Sequence, residues 1–203
     1  MHIHTSFHNT IKHQPLSTKF IAMKTILFII LGTVLAFSSS AQIGTAFPNM
    51  ECKTIDGTKM ILPSNITGKK SVICLAYSQK AELKLQGWLD ASIHNLILRS
   101  SEQSLIPEEP YNIHAFFIAM YTGSSQNFAE NGIKQMKTGV DVALHPYILI
   151  YKGELEPYKT KLKLDTKDDP YVFVLDEKGK IIYIAHGIYT DKAMDQIEAL
   201  ISE

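Results

Sequence analysis

The chain predicts an α/β domain, a mixed β-sheet flanked by helices and opened by an N-terminal β-hairpin, and three observations carry that expectation. Two turn signals, Asp56-Gly57 and Asp176-Glu177-Lys178-Gly179, each lie between short strand-like runs. Two continuous apolar runs of strand length, Ser71–Tyr77 and Tyr111–Tyr121, suit strands buried on both faces. Apolar residues recur at helical spacing from about Lys80 to Arg99 and again after Thr190.

Apolar residues make up 45% of the 203 positions and charged ones 20%, an ordinary balance for one domain with a real core. The first 41 residues are expected to stand outside it. Lys24 precedes an apolar run from Ile26 to Phe37, followed by Ser38-Ser39-Ser40-Ala41: a charged region, an apolar region and a small-residue cleavage site in order. Residues 23–41 read as a signal peptide cleaved after Ala41, and residues 1–22 as an upstream extension or a mis-assigned start, since Met23 directly precedes Lys24. The run of 12 residues falls short of the roughly 20 a membrane helix needs, so a retained anchor is the alternative and no stable membrane insertion is expected after cleavage. An exported protein, periplasmic or secreted, follows, with residues 42–203 as its domain. That part carries 17 basic and 20 acidic residues, a net −3, which is no signature of nucleic-acid binding.

Within the domain, Gln42–Asn49 reads as an extended lead-in and Met50–Ile55 with Thr58–Leu62 as the first hairpin. Ser71–Tyr77 is the first core strand. The long helix that follows carries Leu83, Trp88, Leu89, Ile93, Leu96 and Ile97 on its apolar side and Glu82, Lys84, Asp90 and Arg99 on the other. Ser100–Pro110 is a loop, Tyr111–Tyr121 a second strand, and Ser124 or Ser125 can cap a helix to about Lys137, stopped by Gly139. Tyr147–Tyr151 is a candidate strand, and Pro157 suits the first turn of a short helix with Leu155, Tyr158 and Leu162. Tyr171–Leu175 and Lys180–His186 form the last hairpin. Thr190 or Asp191 caps a closing helix with Met194, Ile197, Leu200 and Ile201 inward.

The two cysteines, Cys52 and Cys74, lie inside apolar strand-like runs rather than at a helix N-terminus that would lower a thiol pKa. Buried, inert thiols are the plain reading; a disulfide between them stays open, because spacing in sequence does not give Cα separation.

The order of elements, with Asp168-Asp169-Pro170-Tyr171-Val172-Phe173-Val174-Leu175-Asp176-Glu177-Lys178-Gly179-Lys180-Ile181, Phe47-Pro48, Asp56-Gly57 and Gly187, resembles the thioredoxin-like superfamily over about residues 44–203. The similarity is to exported thiol-disulfide oxidoreductases and peroxiredoxin-related proteins. In those families a proline, usually after a cis peptide bond, opens the penultimate hairpin and faces the catalytic turn, and Pro170 matches it. The families place one or two cysteines where this chain has Ser78-Gln79-Lys80-Ala81-Glu82. A thiolate is the nucleophile of that chemistry, and a serine hydroxyl without an activating base does not replace it, so redox catalysis by the family mechanism is not expected. The long middle segment before Tyr171 is also similar to that of thioredoxin-like proteins that assist assembly of the mitochondrial ATP synthase, which implies an assembly or chaperone role in the cell envelope.

The resemblance further implies a groove between Ser78, Gln79, Lys80 and Glu82 on one side and Asp169 with Pro170 on the other, where an extended peptide could add backbone hydrogen bonds. Ser78 reads equally as a helix cap, and Lys80 and Glu82 as a solvated helix start. A Ser78 nucleophile would need a histidine beside it, from among His94, His114, His145 and His186. Trp88 reads as core. No metal site or cofactor is expected: His2, His4, His8 and His13 are irregularly spaced, and the domain's histidines lack paired ligand spacing. Asn65-Ile66-Thr67 matches a glycosylation sequon, and Lys159–Lys167 reads as a solvated basic face. The favoured expectation is thus a non-redox module that binds a protein or peptide. The alternative is an enzyme whose displaced thiols, Cys52 and Cys74, form a redox pair.

Overall fold

A computed structural model of the chain describes residues 42–98 and 109–202. Residues 1–41, where a signal peptide and an upstream extension are expected, and most of the Ser100–Pro110 loop lie outside the described residues.

The Asp56-Gly57 pair does what its chemistry favours. Gly57 takes φ +94°, which costs glycine little, and strands β1 (Met50–Thr54) and β2 (Lys59–Leu62) pair antiparallel across it, Met50 opposite Leu62. The run beginning at Ser71 becomes β3 (Ser71–Ala76), buried at every position. It sits between β4 (His114–Thr122), with which it is parallel, and β6 (Tyr171–Leu175), with which it is antiparallel. With β5 (Ile148–Gly153) and β7 (Ile181–His186), the seven strands run in the order β2-β1-β5-β4-β3-β6-β7. This mixed sheet with helices against it is the thioredoxin-like fold that the element order predicts.

Strand alternation sorts the core into two sides. Ile73, Leu75, Ile118, Leu149 and Phe173 face one way, under the lead-in and α3 (Glu156–Lys161), joining Phe47, Leu162 and Leu164. Val72, Cys74, Phe117, Val172 and Val174 face the other way. There they meet Leu85, Trp88 and Leu96 of the long helix and Met194, Ile197 and Ile201 of α4 (Asp191–Ser202). Ile133 and Met136 of α2 (Ala129–Gly139) pack with Ile55, Ala119, Ile148 and Ile150.

Several elements differ in detail from expectation. The long helix α1 spans Gln79–Ser92 and continues as a π-helix over Ile93–Leu98. Its buried row is Ala81, Leu85, Trp88, Ser92 and Leu96, so Leu83 falls on the outer side and is 62% exposed. The second long strand begins at His114 rather than Tyr111. After β4 the chain first makes a 3₁₀ segment, Gly123–Phe128, capped by Thr122 in a reciprocal box with Ser125, and α2 starts only at Ala129. Thr122 competes better for the cap because the last residue of β4 is already extended, as an N-cap must be. Leu200 of α4 is only half-buried. The cis peptide among the described residues is Leu62–Pro63; Asp169–Pro170 is trans, unlike the usual form of the resembled families.

Candidate functional site

The loop before β6 meets the start of α1 because two tyrosines fix its backbone. Tyr77, the last buried residue before the helix, donates from its hydroxyl to the Leu164 carbonyl at 2.9 Å, and burial pushes that phenol up to about 12. Tyr171, paired with Leu75 across the β3–β6 ladder, accepts from the Thr166 N–H at 2.7 Å. With 164 and 166 held, Asp168, Asp169 and Pro170 lie against the first turns of α1.

Four side chains then close that contact. Ser78 has extended dihedrals and accepts from the Ala81 N–H at 3.1 Å, the geometry of an N-cap. The same hydroxyl donates to Asp168 Oδ1 at 3.1 Å. Lys80 Nζ reaches Asp168 Oδ2 at 3.3 Å, and Lys84 pairs with Asp169 Oδ1. Hydrogen bonds from Lys80 and then Ser78 hold the Asp168 carboxyl below its usual range.

The six residues of the predicted groove are therefore gathered at one place, but not as open lips. Ser78 is engaged on both sides. Lys80 and Asp169 are in ion pairs, Pro170 is buried and its carbonyl accepts from the Gly187 N–H at 2.9 Å, and Gln79 is exposed. Glu82 is half-buried, and burial pushes its carboxyl up; burial and then the Glu82 charge raise the Tyr121 phenol. Sequence reasoning left out Lys84 and Asp168 as site residues. A signal for them existed: Lys80 and Lys84 share a helix side at i, i+4, opposite the adjacent acids Asp168 and Asp169.

The far rim is built around Gly187. Its φ of +92° suits glycine, and its carbonyl accepts from Trp88 Nε1 at 2.9 Å. Trp88 is core, as expected, with Tyr189 edge-on at 5.5 Å. Gly87 presents its missing side chain to Tyr189, where a Cβ would stand 3.5 Å from the Tyr189 Cβ. Leu83, one turn earlier on the same side of α1, and Ile188, just before Tyr189, are 62% and 66% exposed. They give this end of the molecule an apolar surface beside the ion pairs.

The cysteines are elsewhere and apart. Both are free and buried. Cys52 packs in the core on one side of the sheet and Cys74 in that on the other, with β5 and β4 between their strands. Three strand spacings amount to about 14 Å, whereas a disulfide needs Cα atoms within about 7 Å. The open question of a disulfide between them is thereby answered against it, and the redox-pair alternative lacks its geometry. Burial pushes the Cys52 thiol up to about 12 and the Cys74 thiol up as well, which makes both poor nucleophiles in place.

The hydroxyl of Ser78 has Ala81 and Asp168 as its partners and no histidine, so the triad its catalysis would need is not assembled. Among the described residues no three His, Cys, Asp or Glu side chains gather as metal ligands, and no helix is long and apolar enough to cross a membrane.

A family model described as ATP10 protein matches residues 38–203. No curated protein matches the sequence. Among solved structures, the fold is similar to a protein assigned as the thiol:disulfide interchange protein DsbE from Chlorobium tepidum, at TM-score 0.52 and 12% identity, covering 78% of this chain and 97% of that one. An uncharacterized conserved protein from Geobacillus kaustophilus is similar at TM-score 0.52 and 14% identity, covering 79% and 82%. The exposed lipoprotein thioredoxin Etrx1 from Streptococcus pneumoniae is similar at TM-score 0.50 and 14% identity, covering 75% and 99%. At such identities the likeness carries the thioredoxin-like fold and nothing finer.

Proposed function

The chain belongs to the ATP10 protein family, and from that premise we propose that it is an exported thioredoxin-like module that binds a protein or peptide, acting in assembly or as a chaperone in the cell envelope rather than as a thiol enzyme. The observation that carries this reading is the turn at the head of α1. Where a thiol enzyme exposes its nucleophile, Ser78 is committed as cap and strap to Asp168. Lys80 and Lys84 are tied to Asp168 and Asp169, and Leu83 and Ile188 are left outward beside them. A polar seam whose side chains are already paired with one another, next to exposed aliphatic side chains, suits recognition of a surface better than turnover. The similarity of the middle segment to ATP synthase assembly proteins supports the same direction.

The test is capture of partners by the tagged full chain from its native envelope. Gln79→Trp and Asp169→Lys are expected to reduce the captured set severalfold without loss of fold, and Ser78→Ala to leave it unchanged. Undiminished capture by both groove variants would remove the groove from consideration.

A further inference from the structure

At the opposite end of the sheet from Ser78, the geometry points to a proton-held clamp: we propose that His145 is a doubly protonated imidazolium tying the Asp56 turn to the end of α2, and that loss of one ring proton releases that end. The ring belongs to the 3₁₀ segment Val142–Tyr147 and is 5% exposed. Its Nδ1 lies 3.1 and 3.2 Å from the two Asp56 carboxylate oxygens, and its Nε2 lies 3.3 Å from the Val140 carbonyl, just past α2. Carboxylates and carbonyls only accept, so both bonds exist together only if both ring nitrogens carry hydrogen. Neutral imidazole has one N–H. Deprotonation must therefore leave either the half-exposed Asp56 carboxylate or the Val140 carbonyl facing a bare nitrogen of a buried ring, so that one of the two bonds is lost.

Lys137 of α2 also meets Asp56 Oδ1, at 3.4 Å, so the carboxylate bridges the ring and a lysine. Desolvation pushes the Asp56 carboxyl up, but the bonds and charges of His145 and Lys137 outweigh it and hold it low. Asp141 turns to its own loop, accepting from the Ala143 N–H. The packed strands contribute Glu51 and Lys53 from β1, His114 and Tyr121 from β4, and Tyr151 and Lys152 from β5. Among the described residues these form no hydrogen bond or ion pair with the ring. The Tyr151 hydroxyl donates to the Glu154 carbonyl, and that of Tyr121 lies at Gly132.

The experiment is nitrogen-15 NMR of the full chain across neutral and alkaline pH, following the ring nitrogens of His145 and the amide protection of residues 137–140, corrected for intrinsic exchange. Both ring nitrogens are expected to be protonated at the acid end, and protection to fall roughly tenfold in step with loss of one proton, as for one lost bond. His145→Gln should abolish the step. Asp56→Asn should move it to lower pH by about one unit or more, since an opposite charge is removed; an Asn-Gly pair keeps the hairpin chemistry, so this variant is expected to fold. A ring that titrates with no change at the end of α2, a step that survives His145→Gln, or a titration unmoved by Asp56→Asn would each overturn the clamp. Groove binding is a separate readout at the other end of the sheet.

Discussion

Ser78 Oγ and Asp168 Oδ1 lie 3.1 Å apart, and that one hydroxyl links the cap of α1 to the loop that opens β6. Removing it takes away an N-cap and a bond to a charged partner at once. Ser78→Ala is expected to lower unfolding stability by about 1–2 kcal/mol, measured by denaturant titration, while leaving partner capture intact. A large loss of capture with little loss of stability would give Ser78 a direct role in binding.

Asp168 adds an acid limit to the same contact. Its folded carboxyl is held below the usual range, chiefly by the Lys80 hydrogen bond and then that of Ser78. The stabilisation is therefore fully present above the unfolded value of about 3.9 and is lost as pH falls through the lower folded value. Thermal midpoints of wild type and Asp168→Asn should differ at neutral pH and converge in strong acid. Curves that remain parallel would show that the ion pair contributes nothing measurable.

Glu82 runs with the opposite sign. Burial raises its carboxyl, so the ionised group costs stability above its folded pKa and the cost is relieved as pH falls below the unfolded value. Glu82→Gln is expected to raise the thermal midpoint at neutral pH, with the gain disappearing in acid. A stabilising loss of charge beside the proposed groove would mark Glu82 as kept for something other than folding.

The thiols provide a chemical check. Native full chain should show almost no reaction of Cys52 and Cys74 with a thiol reagent, and both should appear on denaturation without reductant, since both are free and buried. A Cys52→Ser, Cys74→Ser double variant should match wild type in its cellular role. A fast native thiol, or a need for reductant, would return the protein to the redox enzymes.

Gly132 tests the packing of α2. A Cβ there would run into the Tyr121 hydroxyl and ring, so Gly132→Ala should cost about 1–3 kcal/mol despite its better helix propensity. Adding Tyr121→Leu should recover part of the loss. A neutral or stabilising Gly132→Ala would mean that the ring swings aside freely.

What the sequence disclosed was mostly local. The Asp56-Gly57 and Asp176–Gly179 turns, the unbroken apolar run of β3 and Pro157 at the start of α3 are signals contained within a few residues, and each element lies where they put it. Misreadings came from choices between near-equal local options. Leu83 fits a helical stripe in isolation, yet the sheet selects the row through Ala81, Leu85 and Trp88. Thr122 and Ser124 can both cap, and the end of β4 decides. The site was half legible for a related reason: Ser78 and Pro170 were visible through resemblance, but the ties of Lys80 to Asp168 and Lys84 to Asp169 span more than eighty residues, and the i, i+4 spacing of the two lysines does not by itself name their partners. His145 gave still less away, because its partner Asp56 already had a sufficient explanation as a turn residue.

The position of β6 also bears on when the protein can become itself. β3 lies at the centre of the sheet, but one of its two neighbours is β6, and Ser71 pairs with Leu175 about a hundred residues along the chain. Contacts of that span form late and slowly, because a large loop must close before they are rewarded. Until then β3 keeps one side unpaired, and the seam between the head of α1 and Asp168-Asp169 does not exist. A chain missing its last third would be a sheet with an open centre, exposed to pairing with other chains, and the seam comes into being only when synthesis and folding are nearly complete.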